Sequence, residues 1–258
     1  MEHSEMSIAD YLAVEAESSG KVRSVLECCE GYPARYHFDM PASSKMNKGS
    51  AVHCALLEPE RFAAEYGVYP GKVRRGKEYD AWLVETGKTA LLASEFGDIE
   101  QIQLSLERKP KIKQFFATAE MVEHSYFWTD TETGLACKCR PDLITKHGIK
   151  LDIKTTDGKI TERSFSRTCV EMGYYIQDAF YTMGVQEAMG TKINTSGCLM
   201  VQSKPPYEMT VYLYDELYKR MGERQAREGL RIIAECKKSG VWPGMPEIQD
   251  VTPPAWME

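Results

Sequence analysis

One stretch constrains this chain more than any other: Cys139-Arg140-Pro141-Asp142, a short spacer, then Leu151-Asp152-Ile153-Lys154-Thr155-Thr156. Both halves have the residues of strands. Strand side chains alternate between faces, so Leu151 and Ile153 share one side and Asp152 and Lys154 the other. An apolar underside beneath an acid and a lysine is not ordinary for a central strand, because burying unpaired charge is costly. If Thr145-Lys146-His147-Gly148 turns the chain back on itself, Asp142 arrives alongside. Two carboxylates and one ammonium then converge. Such a set can hold a hard divalent cation through its oxygens and leave the lysine to hold or activate a water. The competing reading is a structural ion-pair network.

The chain has 258 residues, 43% hydrophobic and 27% charged, enough for one large domain or two small ones. No apolar run is long enough to cross a bilayer, and Met1-Glu2-His3-Ser4-Glu5 is too polar for a signal peptide, so a cytoplasmic protein with mostly reduced cysteines is expected. A net charge of −6 argues against a protein that coats nucleic acid, yet permits a local basic channel. Lys72, Arg74, Arg75 and Lys77 form one basic cluster, either a solvated loop or a track for phosphates. Cys28-Cys29 and Cys137-x-Cys139 lack zinc-site spacing, and the late cysteines do not suit an iron–sulfur cluster. Cys137 and Cys139 read instead as the buried face of a strand.

Periodicity predicts helices near 8–14 and 21–29, a short turn at 34–38, and a loop at 39–49. A helix from Ser50 to Leu57 carries His53, read as a core histidine unless that helix packs beside the two acids. Helices are expected at 79–85, 94–106 and from Pro110 to Phe116. From Glu120 the period becomes two, and Thr129 to Gly134 is turn chemistry leading into Leu135–Pro141, a hairpin that could aim Glu123 at Asp142. Arg140 alternates onto the face of Asp142, as a phosphate contact or an ion-pair partner. A long helical region over 162–189, bent at Gly173, presents Gln177 and Tyr181 on one face. Two strands at 197–202 and 207–214 follow, then a helix capped by Asp215, and an irregular tail from 241. This order fits an α/β core with a mixed central sheet flanked by helices.

Asp, a spacer and Asp-x-Lys resemble the signature of the PD-(D/E)XK nuclease superfamily, with its restriction-endonuclease-like core. The wider pattern is similar to the RecE (exonuclease VIII) family, related to lambda exonuclease and RecB-type nuclease domains. It comprises Gly49-Ser50-Ala51-Val52-His53 with Glu58-Pro59, Glu123, Gly134-Leu135, Cys139 to Asp142, Leu151 to Thr156, and Gly173 to Tyr181. The resemblance implies one nuclease domain over 1–258, helical to about 118, catalytic over 119–240, with a tail at 241–258. It implies a Mg²⁺-dependent exodeoxyribonuclease, with Mn²⁺ as a substitute, that degrades linear double-stranded DNA from 5′ to 3′ and exposes a 3′ strand for phage-type recombination. It also implies a ring-like homo-oligomer and a single-strand annealing partner. His53, Asp142, Asp152 and the Ile153 carbonyl would be metal ligands, and Lys154 would orient or activate water. Glu123 would bind a second metal or its water shell, and Gln177 and Tyr181 would position the strand; beside the resemblance, Arg140 and the cluster Lys72, Arg74, Arg75 and Lys77 are the candidate DNA contacts. An endonuclease, a single-strand nuclease or a catalytically silent DNA-binding module are the alternatives.

Overall fold

The computed structural model describes residues 2–4, 6–38, 44–190 and 192–250. The first part of the chain is mostly helical. Strand β1 (Glu2–Ser4) is followed by α1 (Ile8–Ala13), α2 (Ser19–Ser24), α3 (Ser44–Leu57) and α4 (Pro59–Glu65). Strand β2 (Tyr66–Tyr69), α5 (Lys77–Thr86) and β3 (Thr89–Leu92) come next, with β2 and β3 forming a small parallel pair. Helices α6 (Ala93–Glu107) and α7 (Pro110–Ala117) complete this part. Of the loop expected at 39–49, residues 39–43 lie outside the described residues, and from Ser44 the chain is already helical. Of the expected tail, residues 251–258 also lie outside them.

The strand-rich part begins with β4 (Ala119–Val122), β5 (Ser125–Thr129) and β6 (Ala136–Cys139). The β5–β6 turn is closed by Asp130, which accepts from the Thr133 backbone at 2.9 Å and its hydroxyl at 2.6 Å, while Gly134 takes the left-handed φ of 73°. Strands β7 (Leu143–Thr145) and β8 (Ile149–Thr156) form the expected hairpin. Helices α8 (Glu162–Glu171) and α9 (Tyr174–Met189) then cross to β9 (Thr195–Gln202), which pairs parallel to β8. The edge strand β10 (Met209–Leu213) and α10 (Glu216–Ser239), capped by Asp215, complete the fold. Two helices stand where one bent helix is expected, because Gly173 adopts a left-handed φ of 62° and ends α8.

The central sheet has the order β10-β9-β8-β7-β4 and is mixed, since β8 runs parallel to β9 and antiparallel to β7. A parallel pair needs a crossover, so α8 and α9 must lie across one face of this sheet. Each face carries its own core. On one, Cys198, Met200 and Ile144 pack with Ile176 and Phe180 of α9 and Leu230 of α10. On the other, Ile153, Leu199 and Val201 pack with Val52 of α3 and Ile99 and Ile102 of α6. The expected alternation along β8 therefore places Asp152 and Lys154 under α9, and Ile153 over α3. Among the described residues no helix is long and apolar enough to cross a membrane.

Candidate metal and active site

Three elements bring the polar side chains together at the C-terminal half of β8. The sequence predicts Asp142 on a strand, but it lies on none. It occupies the break between β6, in the three-stranded sheet β1-β5-β6, and β7, in the central sheet. Beyond the last β7 pairing, Leu143 with Leu151, the Ile153 N–H has no strand partner on that side. Asp142 Oδ2 accepts it at 2.6 Å, so the carboxylate serves as the missing piece of β7.

His53 reaches the same place from α3. Its Nδ1 lies 3.4 Å from Asp142 Oδ2. Glu123 reaches it from the β4–β5 connection. There its backbone takes φ 49°, unusual for a glutamate, and its N–H donates to the Asp142 carbonyl at 3.0 Å. Strand alternation therefore does not set its direction. Ligand atoms of His53, Glu123 and Asp142 all lie within 4.8 Å of one another.

Asp152 is not among these three. Its Oδ2 lies 2.6 Å from Lys154 Nζ, and its Oδ1 accepts from Gln177 Nε2 at 3.1 Å. Lys154 Nζ in turn sits 5.1 Å from the centroid of Tyr174. Tyr181 lies over Lys150, 5.9 Å from its Nζ, and hydrogen-bonds Ser19.

Arg140 does not share a strand face with Asp142. It leaves β6 towards Glu123, donating to Oε2 at 3.0 Å, to Ser125 Oγ at 2.8 Å and to the Met6 carbonyl at 2.9 Å. Of the alternatives left open by the sequence, the ion pair is the one formed. In the basic cluster, Arg74 is committed to Glu95 at 2.8 Å and the Ala90 carbonyl at 3.0 Å. Lys72, Arg75 and Lys77 remain exposed.

Burial and the neighbouring acids set the protonation of this cluster. Burial first, and then the Asp152 carboxylate, pushes Asp142 well above the usual carboxylate range. Burial and then Asp142 raise Glu123 to about 7. Burial lowers His53 below its ordinary value, although Asp152 and a hydrogen bond with the Ile153 backbone pull the other way. Its imidazole is therefore neutral near pH 7, the form that binds metal. Burial also works against charge on Lys154, but Asp152 and Asp142 outweigh it and hold the ammonium at about 12. Two carboxylates disfavoured as anions beside a neutral imidazole fit a divalent cation, which would restore the missing positive charge.

Two groups escaped the sequence reading. Lys150 follows the same alternation as Asp152 and Lys154, yet it is fully buried and paired with Asp178 at 2.5 Å. Strand periodicity was the available signal for it. Lys138, expected on the open face of β6, is buried, and its ammonium is held by the carbonyls of Tyr11 at 2.9 Å, Leu12 at 3.2 Å and Val14 at 2.6 Å. The cysteines are free thiols, and among the described residues none joins a metal-ligating group.

A family model described as a PDDEXK-like domain of unknown function (DUF3799) matches residues 18–252. The chain belongs to that family, and its α/β fold with a mixed central sheet is the one expected. Among solved structures, a protein from Eubacterium rectale provisionally described as an exonuclease is 15% identical, with a TM-score of 0.64. That alignment covers 98% of this chain and 97% of the other. An alkaline exonuclease from Laribacter hongkongensis is 14% identical with a TM-score of 0.30, over 74% of this chain and 90% of the other. No curated protein matches the sequence.

Proposed function

We propose that this member of the PDDEXK-like family is a single-domain, divalent-metal-dependent exodeoxyribonuclease acting on linear double-stranded DNA from 5′ to 3′, with Mg²⁺ as its ion. The observation that carries the reading is the convergence of His53, Glu123 and Asp142 beside the Asp152–Lys154 pair. His53, Glu123 and Asp142 would hold the ion. When bound, it neutralises phosphate charge and lowers the pKa of a water.

The chain's own groups do the rest. Lys154, protonated at neutral pH, is a donor and not a general base. Held between Asp152 and the Tyr174 ring, its ammonium orients a water or a phosphate oxygen by donating to it. Gln177 fixes the far oxygen of Asp152 and so the direction of that pair. Tyr181 lines the same face, and the exposed Lys72, Arg75 and Lys77 are candidates to follow the phosphate backbone. Polarity of digestion, a cytoplasmic role in strand-annealing recombination with its partner protein, and a ring-like homo-oligomer rest on the resemblance to the RecE family.

The test compares 5′-phosphorylated linear duplex with covalently closed circular duplex, each with Mg²⁺, Mn²⁺ or EDTA, for the wild type and Lys154→Ala. Metal-dependent loss of the linear DNA alone, abolished in the variant, is expected. Cutting of the circle would make the protein an endonuclease. No digestion of either, with no heat of Mn²⁺ binding, would overturn the nuclease reading.

A further inference from the structure

Helix α9 lacks the usual means of fixing its rotation. A half-buried helix is oriented by one apolar stripe. Here the apolar Tyr175, Ile176, Ala179 and Phe180 and the polar Gln177 and Asp178 are all buried in succession, so burial runs all round this stretch and no single apolar stripe marks its angle. Yet Gln177 must meet Asp152 Oδ1, which it does at 3.1 Å. A slide of one residue along the axis, about 1.5 Å, would break that bond.

The next residue along, Asp178, is gripped from the sheet. Lys150 donates to its Oδ1 at 2.5 Å and to its backbone carbonyl at 3.1 Å. Ser196, the register partner of Lys150 on β9, donates to its Oδ2 at 2.6 Å. Two strands thus hold both carboxylate oxygens, and one of them also holds the main chain. The side chains of Lys150 and Asp178 are 1% and 5% exposed. A pair so deeply buried recovers little net stability after desolvation, and apolar residues of equal volume often serve as well. What it supplies is direction.

We propose that Lys150 and Asp178 are positioning residues, whose ion pair, completed by Ser196, sets the rotation and height of α9 on β8 and so holds Gln177 against Asp152. The inference rests on the nuclease reading for its effect on rate. Its geometry stands independently.

Replacing one charge alone strands the other in the core, so two other variants carry the test. K150M/D178L/S196A removes every side-chain polar group of the network at similar volume. Asp178→Glu keeps the charge pair but lengthens it by one methylene. Both are assayed on linear duplex with Mg²⁺, melted, and crystallised. The triple variant is expected to melt close to the wild type, with Gln177 Nε2 displaced from Asp152, kcat lowered about 100-fold and KM within about threefold. Asp178→Glu is expected to lower kcat with KM unchanged, whereas a role limited to neutralising charge predicts no loss.

Retention of the Gln177–Asp152 bond in the triple variant overturns the proposal, as does a kcat within about threefold of wild type in both variants. If the wild type cuts no DNA, the nuclease reading falls, and the position of Gln177 in the variant crystal still decides the geometry.

Discussion

Glu123 is a glutamate the fold holds against its ordinary chemistry, and the cost can be read from a pH dependence. Burial and the neighbouring Asp142 raise it from an ordinary 4.5 to about 7. A carboxyl with a raised folded pKa binds its proton more tightly in the native state. Unfolding therefore releases a proton between these two values, and stability falls as pH rises. For one such group the loss between pH 5 and pH 8 is about 2.5 kcal/mol. Glu123→Gln removes the titration. It also leaves Arg140 with a weaker partner, but that cost does not change with pH, so the slope is diagnostic and not the absolute stability. The assay is urea denaturation in EDTA at several pH values. The wild type is expected to lose about 2.5 kcal/mol more than Glu123→Gln between pH 5 and pH 8. Saturating Mn²⁺ should flatten the wild-type slope more than the variant's, because in the wild type the ion displaces the Glu123 proton as well as that of Asp142. Parallel slopes for the two proteins in EDTA would refute the argument that burial and Asp142 raise the Glu123 carboxyl.

Three further outcomes follow from the same geometry. Lys154→Met should lower kcat by about 10²–10³-fold, and titration calorimetry should show Mn²⁺ still binding, since the lysine donates and is not a ligand. Asp98 accepts from Lys48 at 2.6 Å, Lys204 at 2.7 Å and Tyr207 at 2.6 Å. Burial opposes its charge, but these partners outweigh that and depress it to about 2, so Asp98→Ala should cost on the order of 2–3 kcal/mol in chemical denaturation at pH 7. That stability is present above the ordinary 3.8 and disappears as pH falls towards about 2. At Gly222, a Cβ would stand 2.3 Å from the Tyr175 carbonyl of α9, so Gly222→Ala should destabilise by about 1–3 kcal/mol, measured by thermal melting.

Much of β8 was legible because strand alternation is a local rule. Leu151 and Ile153 against Asp152 and Lys154 needed only the period, and the hairpin back to Asp142 needed only a turn sequence. Lys150 obeys the same rule, but its meaning depends on Asp178 and Ser196, which lie 28 and 46 positions later and meet it through the crossover. Glu123 was within reach of the site for a reason that periodicity hides: a glutamate at positive φ breaks the alternation from β4 into β5. Arg140 likewise leaves its strand, because β6 and β7 belong to different sheets and the chain must turn between them. The role of His53 was conditional on where α3 packs. That packing is fixed by Val52 and Ile153 in the opposite core, contacts that no helical pattern can specify.

The charges around β8 can be followed one at a time, and their sum is the physical case for the proposed cation. Lys150 is cancelled by Asp178 at one end of the strand. Asp152 and Lys154 cancel each other at the other end. Arg140 pairs with Glu123, although burial and Asp142 still raise that carboxyl to about 7. His53 is neutral, because burial suppresses its protonation. Asp142 is left without a cation of its own: a backbone N–H lies at 2.6 Å and the neutral imidazole stands beside it, while Lys154 is shared with Asp152. A chain selected only for stability would have supplied a cation or removed the acid, since an unpaired buried carboxylate is among the costliest groups a core can hold. This carboxyl, disfavoured as an anion, lies where oxygens of Asp142 and Glu123 and a nitrogen of His53 approach each other within 4.8 Å. Asp142→Asn should then raise the melting temperature in EDTA while abolishing the increase that Mn²⁺ gives the wild type. If the variant melts lower in EDTA, the carboxyl serves the fold better than an amide that can accept the same Ile153 N–H, and the case for a metal at this site is lost.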